Sequence, residues 1–392
     1  METAEYDLIV AGGGPAGCAC AITAACSGAR VLLLEKDRFP RHKVCGEFVS
    51  PESLQLLEWL LGGPCFQDRP EISSARVFSL HKTVSLPISP AARSIARYEL
   101  DAELLAAARR AGVQAKEETA VLEVVPGSVC KVRTATQTFT ARVAVNTTGR
   151  WSQLTRHMPP KDQSKWIGLK GHFREAGAPN SVDLYFFNGG YCGVQPVSEC
   201  AVNASAMVRA DAARSLEEVL SLHPELRQRS RNWSPLFPAI TTSPLFFRQP
   251  QTECNGMLLA GDAAAFIDPF AGDGISLALQ SGTLAAESLI PFLQGKDSLE
   301  GVEQRYGAAY RKQFARAFRN AARVRKVLTA PPLIQSMLLS LAGIRPLARV
   351  LVRSTRARSS EYRDIRASGQ RSNEEQIHTR HGGTEIPRRP TV

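Results

Sequence analysis

The segment KVCGEFVSP, residues 43–51, contains two side chains that could take part in chemistry. A thiol near cations can react or donate a proton, which makes Cys45 a candidate. Glu47 is a candidate acid beside it, although it could also be a solvated loop charge. No partner ligands occur at a spacing that would make Cys45 a metal ligand. These residues alone leave open whether Cys45 is reactive or only forms the wall of a site built by other parts of the chain.

A second pair of polar side chains lies in the strand-like run KWIGLKGHF, where Lys170 and His172 alternate with Leu169 and Gly171. Because successive side chains of a strand point to opposite faces, Lys170 and His172 share one face. Two interpretations stay open. The face is solvated or lines a core, or it takes part in catalysis.

The composition limits the kind of protein that carries these residues. The 392 residues are 44% apolar and 22% charged, which is typical of a globular protein with two or three domain-sized cores. No apolar run approaches the ~20 residues of a membrane span, and the N-terminus has no signal-peptide pattern. The nine cysteines include no C-x-x-C pair. We therefore expect a protein of the reducing cytoplasm, with most cysteines buried and no bound metal.

The N-terminal segment predicts a dinucleotide-binding unit. Residues 6–11 form a strand-like run, and Gly12, Gly14 and Gly17 follow it. Residues 15–27 are alanine-rich, and residues 29–35 form a second strand. Glycines in this G-x-G-x-x-G pattern permit a tight turn, approach of the backbone to a pyrophosphate, and close packing of the helix on the strand. The helix amides would bind phosphate, and Glu35 would accept hydrogen bonds from the ribose. The spacing does not separate FAD from NAD.

A second glycine-rich segment occurs about 240 residues later. A short apolar run ends on Asp262, and a long helix begins near Gly274, with its N-terminal amides directed toward negative charge. Together with the first segment, AGDAAAFIDPFAGDGISLAL resembles the FAD-dependent family of aromatic hydroxylases, flavin halogenases and geranylgeranyl reductases. The resemblance implies that Gly261 and Asp262 lie at the ribityl chain of FAD. It also implies that the loop with Pro269 and Gly272 runs beside the flavin ring.

Two further segments resemble the same family. Residues 96–114 are similar to its R-x-x-L-D-x-x-L helix, in which the arginine, here Arg97, contacts FAD. The alternative is an amphipathic helix whose polar face is solvated. At residues 141–156, Thr148-Gly149 stands where the hydroxylases have Asp-Gly. This difference argues against the hydroxylases that bind NADPH at that turn and favours the halogenase and reductase branches.

The segment FPRHKVCG, residues 39–46, is similar to F-P-R-x-K-x-C-G of the reductase branch. The resemblance implies a loop beside the flavin. Arg41 and Lys43 would balance phosphate or reduced-flavin charge, Gly46 would permit close approach of the backbone, and Cys45 would lie near the ring.

We therefore expect non-covalent FAD. The predicted FAD-binding residues are Gly12, Gly14, Pro15, Ala16, Gly17, Glu35, Lys36, Arg41, Lys43, Gly46, Arg97, Val121, Gly149, Gly261, Asp262, Pro269, Gly272, Gly274 and Ile275. A second dinucleotide fingerprint is missing from the sequence. A nicotinamide donor, NAD(P)H, would therefore bind transiently, or a protein would donate the electrons.

Residues 166–250 contain strand-like runs and one predicted helix, SLEEVLSLHPELRQRSRNW, and resemble the substrate domain of the family. In GGYCGVQP, Tyr191 and Pro196 match Y-x-W-x-F-P of the reductases, so Tyr191 is a third catalytic candidate. Gly193 replaces the tryptophan and Gln195 the phenylalanine, a loss of about 1.5–3 kcal/mol of apolar burial each. The exchange argues against a long prenyl chain as substrate. The halogenase pattern W-x-W-x-I-P is absent.

The net charge of +11 is concentrated near the C-terminus. Residues 305–366 contain 15 Lys/Arg and two Asp/Glu, a net +13, so the rest of the chain sums to −2 (11 − 13). Basic residues recur with helical spacing at Arg316, Arg319, Arg323 and Lys326, and again at Arg345, Arg349, Arg353 and Arg356. These helices either lie on an anionic membrane or carry a solvated face. The aromatic side chains of nucleic-acid binders are missing here, so no nucleic acid partner is expected.

The sequence thus predicts an α/β fold, with a Rossmann-like FAD-binding domain, an interleaved β-sheet substrate domain and a C-terminal helical region. The predicted boundaries are 1–165 with 250–300, 166–249, 301–366, and a disordered tail at 367–392. The predicted function is an FAD-dependent reductase of an unsaturated, lipid-like or secondary-metabolite substrate. The alternatives are a monooxygenase that hydroxylates an aromatic or polyketide-like substrate, and a non-catalytic carrier of prenylated partners. The expected location is the cytoplasm or the inner face of the membrane.

Overall fold

The computed structural model describes residues 4–79, 82–150, 154–155, 165–242, 244–245, 247 and 249–328. The predicted basic helix with Arg345, Arg349, Arg353 and Arg356 lies outside these residues, as does the predicted disordered tail at 367–392.

The described residues form two sheets and seven helices. The strands are β1 (Tyr6–Ala11), β2 (Val31–Leu34), β3 (Phe48–Val49), β4 (Glu71–Phe78), β5 (Thr83–Ser94), β6 (Gln114–Lys116), β7 (Glu123–Val125), β8 (Cys130–Arg133), β9 (Thr138–Asn146), β10 (Trp166–Arg174), β11 (Ser181–Phe187), β12 (Gly190–Ser198), β13 (Ala201–Arg209), β14 (Ile240–Thr241), β15 (Glu253–Cys254) and β16 (Met257–Leu259). The helices are α1 (Pro15–Cys26), α2 (Pro51–Leu61), α3 (Arg97–Arg110), α4 (Leu216–Ser221), α5 (Pro224–Arg229), α6 (Gly274–Leu293) and α7 (Leu299–Leu328).

The first sheet has a parallel core in the order β16-β9-β1-β2-β6. Strands of this core are nearly continuous apolar runs, and all four residues of β2 are buried. Such runs are typical of parallel strands that are covered on both faces. One face packs against α1, α3 and α6. Because β1, β2 and β9 are parallel, their carboxyl ends meet at one edge, which is where open α/β sheets bind ligands.

Two glycines allow α1 to pack closely on its neighbours. A Cβ atom at Gly17 would lie 1.8 Å from the Gly12 carbonyl oxygen, and one at Gly282 of α6 would lie 2.1 Å from the Ala16 carbonyl oxygen. Both contacts are with backbone, which cannot move aside cheaply. Gly17 therefore fixes the position of α1 relative to β1, in the packing role that its place in the motif predicts.

The second sheet runs in the order β14-β10-β13-β12-β11-β4-β5-β3. Its neighbouring strands are antiparallel except for β11 and β4, which are parallel. Strands β3, β4 and β5 come from residues 48–94, inside the range assigned above to the FAD-binding domain. The predicted boundaries and the sheets therefore differ here. The alternating burial of TVSLPI in β5 is the pattern of a strand with one buried face, and it fits a half-covered antiparallel sheet.

The sequence predicts one helix over SLEEVLSLHPELRQRSRNW. The structure instead has two short helices there, α4 and α5, followed by a 3-10 turn. Pro224 explains the break, because proline disfavours a helical residue before it and lacks the N–H for helical bonding. His223 accepts a hydrogen bond from the Glu225 amide at its Nδ1, 3.2 Å away, and so caps α5.

Helix α7 is amphipathic. Its buried residues are Val302, Tyr306, Tyr310, Phe314, Ala317 and Ala321, a spacing of three and four that places them on one face. This face packs in the same core as α1 and α6. Within the described part of the chain, no helix is both long enough and apolar enough to cross a membrane.

Candidate active site

A cavity of about 1040 Å³ lies between the carboxyl edge of the first sheet and one face of the second. This volume is at the upper end of the range for small-molecule sites, about 300–1,000 Å³. All the predicted FAD-binding residues except Gly17 line the cavity, and so do the catalytic candidates Cys45, Glu47 and Tyr191. The structure thus brings together side chains from the beginning, middle and end of the described chain.

The N-terminus of α1 forms one end of this cavity. Gly12 has a φ of +106°, and a Cβ there would lie 2.6 Å from the Thr147 carbonyl oxygen, so this position requires glycine. Gly14, just before the helix, differs: a Cβ there would meet no protein atom within 4 Å. Gly14 therefore leaves bare backbone at a helix N-terminus facing a cavity, an arrangement that fits a pyrophosphate.

Glu35 lies at the end of β2 and is only 4% exposed. Its Oε2 accepts a hydrogen bond from the Gly13 amide at 2.7 Å, and its Oε1 accepts one from the Asp37 amide at 2.9 Å. A carboxylate offers about four acceptor positions, so Glu35 retains capacity for a ribose hydroxyl. These contacts hold its side chain at the cavity wall.

Arg41 and Lys43 line the same end, but carboxylates already surround them. Arg41 lies 3.0 Å from an Asp101 oxygen and 3.2 Å from an Asp37 oxygen, and Lys43 lies 3.3 Å from Asp37. Burial lowers the pKa of Lys43, and the nearby Arg41 acts in the same direction against the pull of Asp37. Most of the charge predicted to balance phosphate is therefore balanced within the protein.

The 261–276 segment forms the opposite side of the cofactor end. Gly261 has a φ of +61°, and a Cβ there would lie 2.8 Å from that of Ala16. A Cβ at Gly272, with φ +67°, would lie 3.2 Å from the Phe48 ring. The hydroxyls of Ser50 and Ser276 share a hydrogen bond of 2.7 Å. These contacts fix the start of α6 against the segment that contains Cys45.

Glu47 is fully buried and binds two side chains of β10. Lys170 donates a hydrogen bond to Oε1, and His172 Nε2 lies 2.7 Å from Oε2. The Arg97 amide donates a further hydrogen bond to Oε1 at 2.8 Å. Lys170 is also fully buried and His172 is 7% exposed. The alternative of a solvated loop charge at Glu47 therefore does not hold. The face with Lys170 and His172 is buried, as in the alternative of a face that lines a core.

This cluster of Glu47, Lys170 and His172 keeps the carboxyl group ionised. Burial alone would raise the pKa of Glu47, but the hydrogen bond from His172 and the charge of Lys170 outweigh it, so the pKa lies below its ordinary value. Glu47 is thus a fixed anion at neutral pH and does not hold a proton to donate. It joins the Cys45 loop, the start of α3 and β10.

Cys45 is held from several sides. Its Sγ accepts a hydrogen bond from the Glu47 amide at 3.3 Å. Asn203 Nδ2 donates to the Cys45 and Gly46 carbonyl oxygens at 3.0 and 2.9 Å. Glu47 has a φ of +63°, so the left-handed residue of this turn is the glutamate. The thiol is half-buried in a rigid part of the cavity wall.

Arg97 lies beside this loop and binds Asp101 through two hydrogen bonds of 2.6 and 2.7 Å. Burial opposes its charge, but the Asp101 carboxylate outweighs burial and holds the pKa of Arg97 above its ordinary value. The alternative of a solvated polar face does not hold for Arg97, because its side chain is only 15% exposed.

The comparisons with known proteins agree with this geometry. The family of FAD dependent oxidoreductases matches residues 7–40, the segment from β1 to the start of the Cys45 loop. The digeranylgeranylglycerophospholipid reductase of Methanocella arvoryzae is 28% identical over 350 residues, which cover 83% of this chain and 88% of that protein. The menaquinone reductase of Mycolicibacterium smegmatis is 26% identical over 361 residues, covering 84% and 86%. The chain is thus similar to FAD dependent oxidoreductases at its N-terminus and to these two reductases over most of its length.

Solved structures show the same fold. The flavin-dependent brominase Bmp2 superimposes with a TM-score of 0.74 at 21% identity, covering 95% of this chain and 99% of the brominase. A geranylgeranyl bacteriochlorophyll reductase-like protein from Thermoplasma acidophilum gives a TM-score of 0.68 at 19% identity, covering 96% and 98%. The two-sheet architecture is therefore shared by reductases and halogenases, and it does not by itself distinguish between them.

In this FAD-dependent oxidoreductase, the glycine-rich end of the cavity fits the cofactor. Gly14 and the α1 amides would hold the pyrophosphate, Glu35 the ribose, and the loop before α6 the flavin. When bound, FAD supplies transfer of an electron pair.

Tyr191 is 7% exposed, and burial raises its pKa well above the ordinary value. It therefore keeps its proton at neutral pH and can donate a hydrogen bond into the cavity.

The sequence did not indicate the cluster around Glu47, although it marked each of its members. It also did not indicate Asn203, whose only signal is a lone amide among the small residues of AVNASAMVR. A polar side chain in such a run is most often hydrogen-bonded to a neighbouring loop when buried, which is what Asn203 does.

Proposed function

We propose that this oxidoreductase is a reductase that adds two electrons and two protons to an unsaturated bond of a lipid-like substrate. The observation that carries the proposal is the aliphatic lining of the cavity on the second sheet. The lining side chains there are Val77, Leu86, Ile88, Val182 and Leu184. Such a surface favours hydrocarbon through burial of apolar area and offers no charge to a polar substrate.

Gly193 strengthens this proposal, although in the sequence it argues against a long chain. It lines the cavity, and a Cβ there would already lie 3.3 Å from the Leu184 side chain. A tryptophan at this position would fill the space beside Leu184. The glycine therefore leaves room for substrate, which supports the proposal although lost apolar area at this position argues against a long chain.

The curated relatives support the same class of substrate. By their names, these relatives reduce a digeranylgeranylglycerophospholipid and a menaquinone. Tyr191 would donate a hydrogen bond to the bound substrate, and Cys45 would form part of the wall. The electrons would come from a nicotinamide that binds transiently or from a donor protein. A purely carrier role is not needed to explain the site.

The decisive experiment is anaerobic photoreduction of the purified flavoprotein, followed by mixing with candidate acceptors. We expect an isoprenoid lipid with double bonds, or a menaquinone, to reoxidise the reduced protein in the absence of oxygen. Mass spectrometry should then find a product that has gained two hydrogen atoms. Reoxidation by oxygen alone, with an oxygen atom transferred to an aromatic substrate, would instead show a monooxygenase.

We further propose that the exposed face of α7 binds an anionic membrane, from which a lipid substrate would be taken. The exposed basic residues there are Arg311, Lys312, Arg316, Arg319 and Arg323. Each basic residue near an anionic surface contributes about 1 kcal/mol of attraction, and salt screens this attraction. The opposite face of the helix is buried in the core, so the basic side chains point outward.

Vesicle sedimentation tests this surface. We expect binding to anionic vesicles at low salt, weaker binding at high salt, and little binding to neutral vesicles. Replacing Arg316, Arg319 and Arg323 with Gln should release the protein without changing its flavin spectrum. The matched control replaces the exposed Arg30, Arg110 and Arg133 with Gln, at 65%, 56% and 61% side-chain exposure. Equal release by both sets, or equal binding to neutral vesicles, would contradict the proposal.

A further inference from the structure

Gln195 is a buried polar side chain whose amide is only partly used. It lies on β12, is 2% exposed and lines the cavity. Its Nε2 donates a hydrogen bond of 2.6 Å to Ser94 Oγ, whereas its Oε1 has no hydrogen-bond partner among the described residues. Buried amide groups in proteins almost always have partners, so an unpaired one at a cavity wall indicates a ligand.

Neighbouring strands fix the place of this amide. Gln195 is paired with Asn203 of β13 in the sheet register, and Asn203 donates to the Cys45 and Gly46 carbonyl oxygens. Because paired residues of neighbouring strands direct their side chains to the same face, Gln195 lies beside Asn203, the residue that holds the Cys45 loop. Ser94 is itself fully buried, so the contact that orients Gln195 does not depend on solvent.

Among the described residues, no side chain of this wall is hydrogen-bonded to Gln195 Oε1. Along β12 the cavity is lined by Tyr191, Gly193 and Gln195. The neighbouring β13 contributes Ser205, Ala206 and Met207, and β4, β5 and β11 contribute aliphatic side chains. Glu47 is occupied by Lys170 and His172. The phenylalanine that Gln195 replaces in the reductase pattern would satisfy an apolar wall without any polar atom. Glutamine at this position therefore adds a hydrogen-bonding group that phenylalanine lacks.

We infer that Gln195 determines specificity by binding an oxygen function of the substrate, a hydroxyl or a carbonyl, beside the bond that is reduced. This rests on the proposed function. The Ser94 hydroxyl can accept or donate, so the free amide atom is either the carbonyl oxygen, which would bind a substrate hydroxyl, or the NH₂ group, which would bind a substrate carbonyl. In either case the preferred substrate is an oxygenated isoprenoid and not a plain hydrocarbon chain.

The test compares three ligands of the same chain length: geranylgeraniol with a hydroxyl, geranylgeranial with a carbonyl, and the matching hydrocarbon. Binding is followed by perturbation of the oxidised flavin spectrum, and turnover by anaerobic reoxidation of the photoreduced protein. The wild type should prefer one oxygenated ligand over the hydrocarbon by about tenfold, the contribution of one neutral hydrogen bond. Which of the two oxygenated ligands binds better identifies the free atom of the amide.

Gln195→Leu should abolish this preference, by loss of affinity for the oxygenated ligand and not for the hydrocarbon. Because this variant leaves Ser94 without its partner, the double variant Ser94→Ala with Gln195→Leu is measured beside it, and both are checked for flavin content. Gln304→Leu on the exposed face of α7 is the matched control and should keep the preference.

The possible failures are distinguishable. If the ligands bind with the expected preference but none is turned over, the reductase function fails and the role of Gln195 in binding stands. If the wild type binds all three ligands equally, if it binds none, or if both Gln195 variants keep the preference, the inference about Gln195 is wrong.

Discussion

The two ends of the cavity are built in different ways. The phosphate-binding turn at the cofactor end presents backbone, and Gly12 and Gly14 lie next to the start of α1. The end formed by the second sheet is made of side chains that meet across long stretches of chain. Glu47 binds Lys170 across 123 residues and His172 across 125. The glycine turn of the first end is therefore determined locally, whereas the Glu47 cluster depends on correct assembly of the second sheet.

This difference predicts different consequences of mutation. A side chain added at Gly14 enters the space for the ligand, so it should change cofactor binding without changing the stability of the fold. A side chain removed from the Glu47 cluster leaves a buried charge without its partner, which lowers the free energy of unfolding. Variants at the two ends should therefore separate loss of binding from loss of stability.

The largest effect is expected for Lys170→Met. It leaves the buried Glu47 carboxylate without its ammonium partner, and breaking a buried pair in this way costs about 3–5 kcal/mol of unfolding free energy. Urea denaturation of the flavin-loaded protein measures the loss. The double variant Glu47→Gln with Lys170→Met removes both charges and should recover much of it, because the uncompensated charge is then gone.

Arg133→Met is the control for this variant. Arg133 pairs with Glu123 at 2.7 Å, but the two side chains are 61% and 50% exposed, and such exposed pairs contribute about 0–1 kcal/mol. If Lys170→Met costs no more than Arg133→Met, the ammonium group does not compensate Glu47, and the contrast drawn between the two ends is wrong.

At the cofactor end we expect Gly14→Val to weaken FAD binding at least tenfold, or about 1.4 kcal/mol, while unfolding of the FAD-free protein stays unchanged. No protein atom lies within 4 Å of a Cβ at this position, so the added side chain meets the ligand and not the protein. Flavin titration measures the affinity. Gly127→Val, in an exposed turn, is the control. Wild-type affinity in Gly14→Val would mean that the pyrophosphate lies elsewhere.

The same difference explains which features could be predicted from the sequence. The glycine spacing of residues 12–17 carries its own geometry, because the turn, the helix start and the following strand are contiguous. The order β1, α1, β2 and the start of α6 at Gly274 were predicted for this reason and are confirmed by the structure. Local patterns of this kind need no knowledge of the tertiary fold.

The Glu47 cluster could not be predicted in this way. Strand spacing placed Lys170 and His172 on one face, but it could not show what the face contacts, because pairing of β10 with β13 and approach of the Cys45 loop are tertiary events. The membership of β4 and β5 in the second sheet was missed for the same reason. Strand pairing is set by burial across the sheet and not by neighbours in sequence.

The pH dependence of stability gives a smaller and more specific test. The folded-state pKa of Glu47 lies below its ordinary value, which is about 4.3 in unfolded chains. A carboxyl group lowered in this way contributes stability that is complete above the unfolded pKa and is lost as the pH falls through the folded pKa. In that window the slope is about 1.4 kcal/mol per pH unit.

We therefore expect the stability difference between wild type and Glu47→Gln to be largest at neutral pH and to shrink as the pH falls below about 4.3. Other carboxyl groups, including Asp37, are present in both proteins and cancel in the difference. Urea denaturation from neutral pH down to about pH 3 measures it. A difference that stays constant over this range would mean that Glu47 is not held as an anion in the folded protein.

The smallest effect is expected for Cys45→Ala, which tests where the two ends of the cavity meet. The backbone of the Cys45 loop is held by Asn203 and Glu47, so loss of the thiol should leave FAD bound and the loop in place. If Cys45 is only a wall residue, turnover should stay within about tenfold, or 1.4 kcal/mol of barrier.

Cys200→Ala, at an exposed cysteine, is the control. A proton-donating thiol would instead cost about 10²–10⁴ in rate. A thousandfold loss with FAD still bound would move Cys45 from the wall into the chemistry, and the loop held by the Glu47 cluster would then position a catalytic group.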